Sequence, residues 1–485
     1  VATDTLVRAT PKLSLQQRHP IWLGTISVLA AAIYAVLGLV KLGIFRATTF
    51  DLVIVDQAVR NYAKFLPGYI PSIGIWHGRG LDYPQIADHF SPIYALLAPF
   101  YWIHDGPTTL IIAQAVLFAS AIPFIWLFTR RLLGTGPAYL VAVAYALSWP
   151  VAQAVNFDVH EVMFVPLLTA IVIERYQAGR LLPCYLALFG LLLVKEDMGL
   201  MVAGFGLYVL TRREWAHGTI MILSGFTAAV LTRGVIMPAV GGQLSDFWAY
   251  SQFGPTPGSA AIGMITHPFQ VIDTLFATEG KTGTIFFLLW PTLLLCLLSP
   301  LTLMALPHLL ERFLGSWTQW HAADYQYNAF TVVVLLLAGV DGFARLLRWL
   351  KRGDDRAWKL AWSLGVLAVA LTLVPRFAFG QLLSPAFYRG DPLKTAAAAE
   401  AAGRVPDGVT VATVNYMGPA LTDRTTVLLL RPGFSYPAPW IVADTQRWEF
   451  PYGSAAQQAA QVEELVAAGY ERVFERNGVV VLRRP

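Results

Sequence analysis

Six acids and histidines crowd residues 50–92, FDLVIVDQAVRNYAKFLPGYIPSIGIWHGRGLDYPQIADHFSP: Asp51, Asp56, His77, Asp82, Asp88 and His89. A carboxylate at the edge of a bilayer can take a proton from a hydroxyl or hold a metal ion while a lipid tail stays in the hydrocarbon. Asp56 is the first choice for such a base and Asp51 the second. The alternative for both is a helix cap that accepts from free N–H groups. Asp88 and His89 stand between Pro84 and Pro92. His89 can donate to a phosphate oxygen or exchange a proton near neutral pH. The alternative there is a turn that caps the helix that follows.

Three further groups could join them. Asn156, Asp158, His160 and Glu161 lie in one short polar stretch. In an extended segment the Asp–x–His spacing puts Asp158 and His160 on one face, where they could support a metal ion. Lys195, Glu196 and Asp197 interrupt LFGLLLVKEDMGLMVAGFGL, an otherwise apolar run. Charge at such a place is costly and usually functional. Lys195 could bind a phosphate or diphosphate, with Glu196 orienting it or holding a metal ion. The alternative is a plain turn between two helices. His321, Asp324, Tyr325, Tyr327 and Asn328, after Trp317 and Trp320, could line an acceptor cleft or form an interfacial aromatic belt. Arg233, within another apolar stretch, could meet a phosphate or snorkel to the interface.

These residues need a frame. Of 485 residues 56% are hydrophobic and 13% charged, against about 25% charged in soluble domains. That places the chain among integral membrane proteins. The net charge of +5 fits basic loops on the cytoplasmic side and gives no ground for nucleic-acid binding. Cys184 and Cys296 both lie in apolar runs, so a disulfide between them is not expected. No cleavable signal peptide is expected before the first apolar run.

Candidate spans are 21–45, 107–129, 136–152, 162–175, 182–194, 198–211, 217–238, 284–298, 301–314, 327–348 and 357–375, about eleven in all. With the amino terminus inside, Arg130–Arg131, Arg175–Arg180, Arg212–Arg213 and Arg348–Arg352 all fall in the cytoplasm. The first loop 46–106, the stretches 153–161, 195–197 and 241–283, and the carboxyl terminus then fall outside. Residues 91–104 read as a helix lying on the membrane face, because a span there would invert several basic clusters. Ser299–Pro300 reads as a tight turn, with one long kinked helix as the alternative. The expected architecture is a polytopic all-α membrane domain, 1–385, followed by a soluble extracytoplasmic α/β domain, 386–485. In that tail VTVATVN, TTVLLL and PWIVAD read as strands, and 396–403 and 454–469 as helices. RVFERNGVVVLRR reads as a hairpin turning at Asn477–Gly478.

The motifs FDLVIVDQA at 50–58, DHFSP at 88–92, NFDVHE at 156–161 and KED at 195–197 resemble those of the DUF2079 family. HAADYQYN at 321–328 matches less regularly. The layout is similar to that of the GT-C glycosyltransferases, which carry an acidic residue in the first outer loop just after the first span. The resemblance implies a GT-C-like fold and sugar transfer from a polyprenyl-phosphate donor to a glycan, lipid or protein acceptor. It matches Asp56 to the catalytic acid, with Asp51 in reserve and Asp88 beside them. Lys195, His89 and Arg233 would hold the donor phosphate. Glu196, Asp158 and His160 would support the site or hold a divalent cation such as Mg2+ or Mn2+. Asn156, His321, Tyr325 and Tyr327 would line the acceptor cleft. The expected location is the bacterial plasma membrane, multi-pass, with the lipid bilayer as a partner. The sequence also leaves open a transporter or flippase, and a membrane scaffold or binding protein. There is no P-loop, and no Asp-rich run of the prenyl-transfer type.

Overall fold

The computed structural model describes residues 15–243 and 247–485, the side chains of 15–18 excepted. The expectation of a cytoplasmic amino terminus falls largely outside the described residues. The chain is mostly helical, with a small sheet near its end. Five helices are long and apolar enough to cross a membrane: His19–Gly43, Pro107–Leu133, Thr135–Asn156, Trp215–Ala239 and Arg356–Leu373. At 1.5 Å per residue even the shortest runs about 27 Å, close to the hydrocarbon thickness of a bilayer. Leu181–Leu192 and Met198–Thr211 are shorter apolar helices.

The sequence reading of 284–298 as one helix needs correction. The helix Glu279–Leu289 stops there, and Leu293 and Leu294 take left-handed backbone conformations. Two 3-10 turns, Leu295–Leu298 and Pro300–Met304, flank Ser299 before the helix Leu306–Leu314 begins. Pro291 and Pro300 remove backbone donors that a continuous helix needs. The irregular segment packs on the helix Val332–Trp349, which presents Gly339 and Gly342 to it. A Cβ on Gly342 would stand 1.9 Å from the Leu295 carbonyl oxygen. Close backbone approach over small residues is how a membrane bundle shelters non-helical chain. Ser299 does turn the chain, and its Oγ donates to Asp341 at 2.6 Å.

Charged groups gather at the two ends of the bundle. At one end Glu174 pairs with both Arg131 and Arg175, and Tyr176 donates to Glu214 at 2.7 Å. The other end carries the first loop. There a π-helical turn, Thr49–Val53, runs into the helix Ile54–Ala63, followed by Pro71–Trp76, the 3-10 turn Pro92–Leu97 and the short helix Ala98–Tyr101.

Five strands form the terminal sheet: β1 Thr410–Thr413, β2 Thr426–Leu429, β3 Trp440–Asp444, β4 Glu471–Arg476 and β5 Val479–Arg483. Their order is β2-β1-β3-β5-β4. β1 pairs in parallel with β2 and β3, while β5 pairs antiparallel with β3 and β4. Asn477 and Gly478 both have positive φ, 48° and 78°, as a two-residue hairpin turn requires. Helices Pro392–Arg404 and Ala455–Ala467 complete this unit. Its core of Ala397, Val411, Ile441, Val462 and Val480 also takes in Val53 of the first loop. The loop and the sheet therefore share one apolar core.

Candidate functional site

A cavity of about 1120 Å³ lies between the first loop, the ends of several helices and the edge of the sheet. Asp51, Asp88, His89, Asn156, Asp158, His160, Lys195, Glu196, Arg233, Tyr325 and Tyr327 line it. Residues from stretches far apart in sequence thus face one space.

Asp51 sits inside the π turn, whose wider winding offsets its side chain from the regular helix that follows. Its Oδ1 lies 3.1 Å from His160 Nε2, and Thr48 Oγ1 lies 3.0 Å from its Oδ2. His160 Nδ1 is buried without a hydrogen-bond partner. Asp158 has a left-handed backbone, φ 63°, which bends the chain just before His160. Its own carboxylate is engaged elsewhere. Lys41 Nζ stands 3.0 Å from Oδ1, and the Thr48 amide donates to Oδ2 at 2.7 Å. Asn156 Oδ1 accepts from Gln381 at 3.2 Å.

In the same cavity Lys195 Nζ lies 2.7 Å from Glu161 Oε1, and Tyr94 donates to the other oxygen at 3.3 Å. Burial alone would favour neutral Lys195, but Glu161, Asp197 and Glu196 outweigh it and hold the ammonium charged. Burial likewise works against charged Glu161, but Lys195, His160 and His89 bring its carboxyl down to about 2. Glu196 accepts from His89 Nδ1 at 2.9 Å and from the Phe90 amide at 3.1 Å. For His89, burial and Lys195 oppose protonation; Glu196 and Asp88 prevail and raise its pKa above 6.5. Arg233 reaches Glu311 at 3.4 Å and Glu196 at 4.0 Å. Asp88 has His77 3.5 Å away. The sequence reading of Lys195 and Glu196 as one unit therefore becomes two pairs, Lys195–Glu161 and Glu196–His89.

Two expectations do not reach the cavity. Asp56 is fully buried and outside the lining. Arg60 holds it at 2.5 and 3.1 Å, Tyr101 donates at 2.6 Å and Thr422 at 2.7 Å. Burial pushes its carboxyl pKa up, against the pull of Arg60 and the other donors. It joins the first loop to the loop before β2. Gln57 does the same, donating to the Val427 carbonyl at 2.7 Å. His321 is also buried and outside the lining, with its ring 6.1 Å from Phe313. The proposed metal holders Asp158, His160 and Glu196 do not converge on one point.

Other cavity residues were not foreseen. His308, Glu311 and Arg312 line it from one face of a short helix, as do Asn415, Tyr416, Trp448 and Phe450 from the terminal domain. The first three were visible as charge inside the apolar run LTLMALPHLLERFL, the argument already applied to Lys195–Asp197. The last four carried no sequence signal, because only folding brings that domain to the cavity.

The arrangement resembles solved proteins in fold. ArnT from Cupriavidus metallidurans bound to undecaprenyl phosphate aligns with a TM-score of 0.52 at 14% identity, covering 96% of this chain and 98% of that one. Its apo state aligns with a TM-score of 0.51 at 12% identity, with the same coverage. The Archaeoglobus fulgidus oligosaccharyltransferase in complex with Zn and sulfate has a TM-score of 0.46 at 13% identity, over 95% of this chain and 73% of that one. The two ArnT alignments show a shared fold, the GT-C fold, with a helical membrane body and a small terminal domain. Residues 41–481 match DUF2079, described as a predicted membrane protein. The chain belongs to the DUF2079 family. No curated protein matches it.

Proposed function

We propose that this protein transfers a sugar from a polyprenyl-phosphate donor to an acceptor on the outer face of the plasma membrane. The observation that carries this reading is the shared cavity. It brings a carboxylate–imidazole couple, Asp51–His160, into one space with the cationic groups Lys195, His89 and Arg233. The same ends face the cavity that charge parity puts outside, while Arg131, Arg175 and Glu214 gather at the other end. This supports about eleven crossings, with the terminal domain outside.

In this mechanism Asp51, rather than Asp56, is the base. An acceptor hydroxyl attacks the anomeric carbon and gives its proton to the Asp51–His160 pair. The anomeric C–O bond to the lipid phosphate breaks, and the phosphate leaves with the electron pair. His89, Lys195 and Arg233 stabilise its growing charge. A single displacement inverts the anomeric carbon, since Glu161 and Glu196 are both engaged by cations. Tyr325 and Asn156, which line the same cavity, orient the acceptor in this reading. The terminal domain closes the cavity with Tyr416, Trp448 and Phe450.

The test is sugar transfer by purified protein in proteoliposomes supplied with a panel of polyprenyl-phosphate sugars. At least one donor should release polyprenyl phosphate. Intact, folded protein that releases none from any donor would contradict the proposal.

A further inference from the structure

Asp197 and His308 take no part in the couples described above, and Glu311 enters them only through the oxygen that Arg233 approaches. One ligand atom from each lies within 4.8 Å of the others, the only such trio of metal-ligating side chains among the described residues. Asp197 comes from the turn between two helices, and His308 and Glu311 lie one turn apart on the helix Leu306–Leu314. That i, i+3 spacing places both on one face. His308 is only 1% exposed. Its Nδ1 has no hydrogen-bond partner, and neither do Asp197 Oδ1 and Glu311 Oε2, all buried. Unsatisfied polar atoms of this kind are rare in native interiors and call for a partner. Each of the three converging residues therefore keeps one polar atom without a partner, while His308 turns its other nitrogen, Nε2, toward Asp197.

Two carboxylates and an imidazole drawn together in this way suit a cation. His308 Nε2 stands 3.7 Å from Asp197 Oδ2. Ligands about 2.1 Å from a tetrahedral ion stand about 3.4 Å from each other, so His308 and Asp197 need a shift of only a few tenths of an ångström, while the trio as a whole, within 4.8 Å, closes further when an ion is bound. Two of the nearby cations are held by other groups. Lys195 is paired with Glu161, and Arg312 donates to the Trp320 carbonyl at 2.8 Å and to Asn328 at 2.9 Å. Arg233 approaches Glu311 through Oε1, leaving Oε2 free.

We infer that Asp197, His308 and Glu311 form a binding site for one first-row divalent cation such as Zn2+ or Mn2+. One imidazole with two carboxylates suits these ions better than Mg2+ or Ca2+, which prefer oxygen alone. The site is on the cavity wall beside Arg233 and Glu196. If the sugar-transfer reading is right, the ion adds positive charge where the donor phosphate lies; binding itself does not depend on that reading.

Metal content tests it without any activity assay. Chelator-stripped protein in nanodiscs is dialysed against Zn2+ or Mn2+ and its bound metal measured. Wild-type protein should hold one ion per chain. Changes outside the ligand shell already weaken metal sites roughly 10–100-fold, so His308→Gln and Glu311→Gln should lose at least as much. Asp51→Asn, outside the trio, should bind like wild type. X-ray absorption of the Zn2+-loaded wild type should show one imidazole nitrogen with carboxylate oxygens, a readout that stands even where a variant misfolds. No bound ion, unchanged binding by both folded variants, or an all-oxygen shell would overturn the site and leave sugar transfer to be judged separately.

Discussion

Asp51 and Asp56 lie five residues apart, yet one faces the cavity and the other is sealed in the protein. The π turn that holds Asp51 separates it from the regular helix that carries Asp56. Sequence could place both beside the first span but could not tell them apart, because the distinction rests on Arg60, Tyr101 and Thr422. Removing one member of a buried pair costs about 3–5 kcal/mol. Asp56→Ala should therefore lower thermal stability by an amount in that range, and an unchanged melting curve would remove its structural role. Glu161 gives a pH prediction. Its pKa in the fold, about 2, lies below its ordinary 4.5, so its contribution is full above about pH 4.5 and fades as pH falls through about 2. Wild-type stability should drop across that window, while Glu161→Gln should be less stable at neutral pH and flatter in acid. Parallel acid profiles for the two proteins would contradict the assignment.

At the scale of elements, local chemistry was legible and long-range docking was not. The Asn477–Gly478 hairpin and the turn at Ser299–Pro300 follow from backbone preferences within a few residues, though the sequence reading carries a continuous helix through the break at Pro291. The left-handed Leu293–Leu294 pair does not, since leucine gives no local signal for it. Nor could sequence show that Val53 enters the core of the sheet. That docking is tight at Gly418, whose amide donates to Thr49 Oγ1 at 3.1 Å. A Cβ on Gly418 would stand 2.3 Å from that oxygen. Gly418→Ala should separate loop from sheet, cost about 1–3 kcal/mol, and expose the junction to protease while the membrane helices stay intact. Wild-type protease resistance would show that the contact is dispensable.

For the whole molecule, a bundle with a cavity at one end accounts for the distribution of charge along the chain. Hydropathy and the basic loops made the membrane body legible. The cavity was only half legible, since its roof comes from the terminal domain. A cysteine replacing Ser454 should react with an impermeant thiol reagent in intact cells, and one replacing Arg213 only after permeabilisation. The native Cys184 and Cys296 are buried and should stay silent. The reverse pattern would invert the molecule and end the outward-site account. The most direct measurement of the central claim is release of polyprenyl phosphate by wild type and Asp51→Asn, side by side in proteoliposomes with a donor the wild type accepts. Loss of a positioned base predicts a fall of about 10²–10⁴ in turnover with the melting temperature unchanged. An Asp51→Asn protein that turns over at the wild-type rate would contradict it.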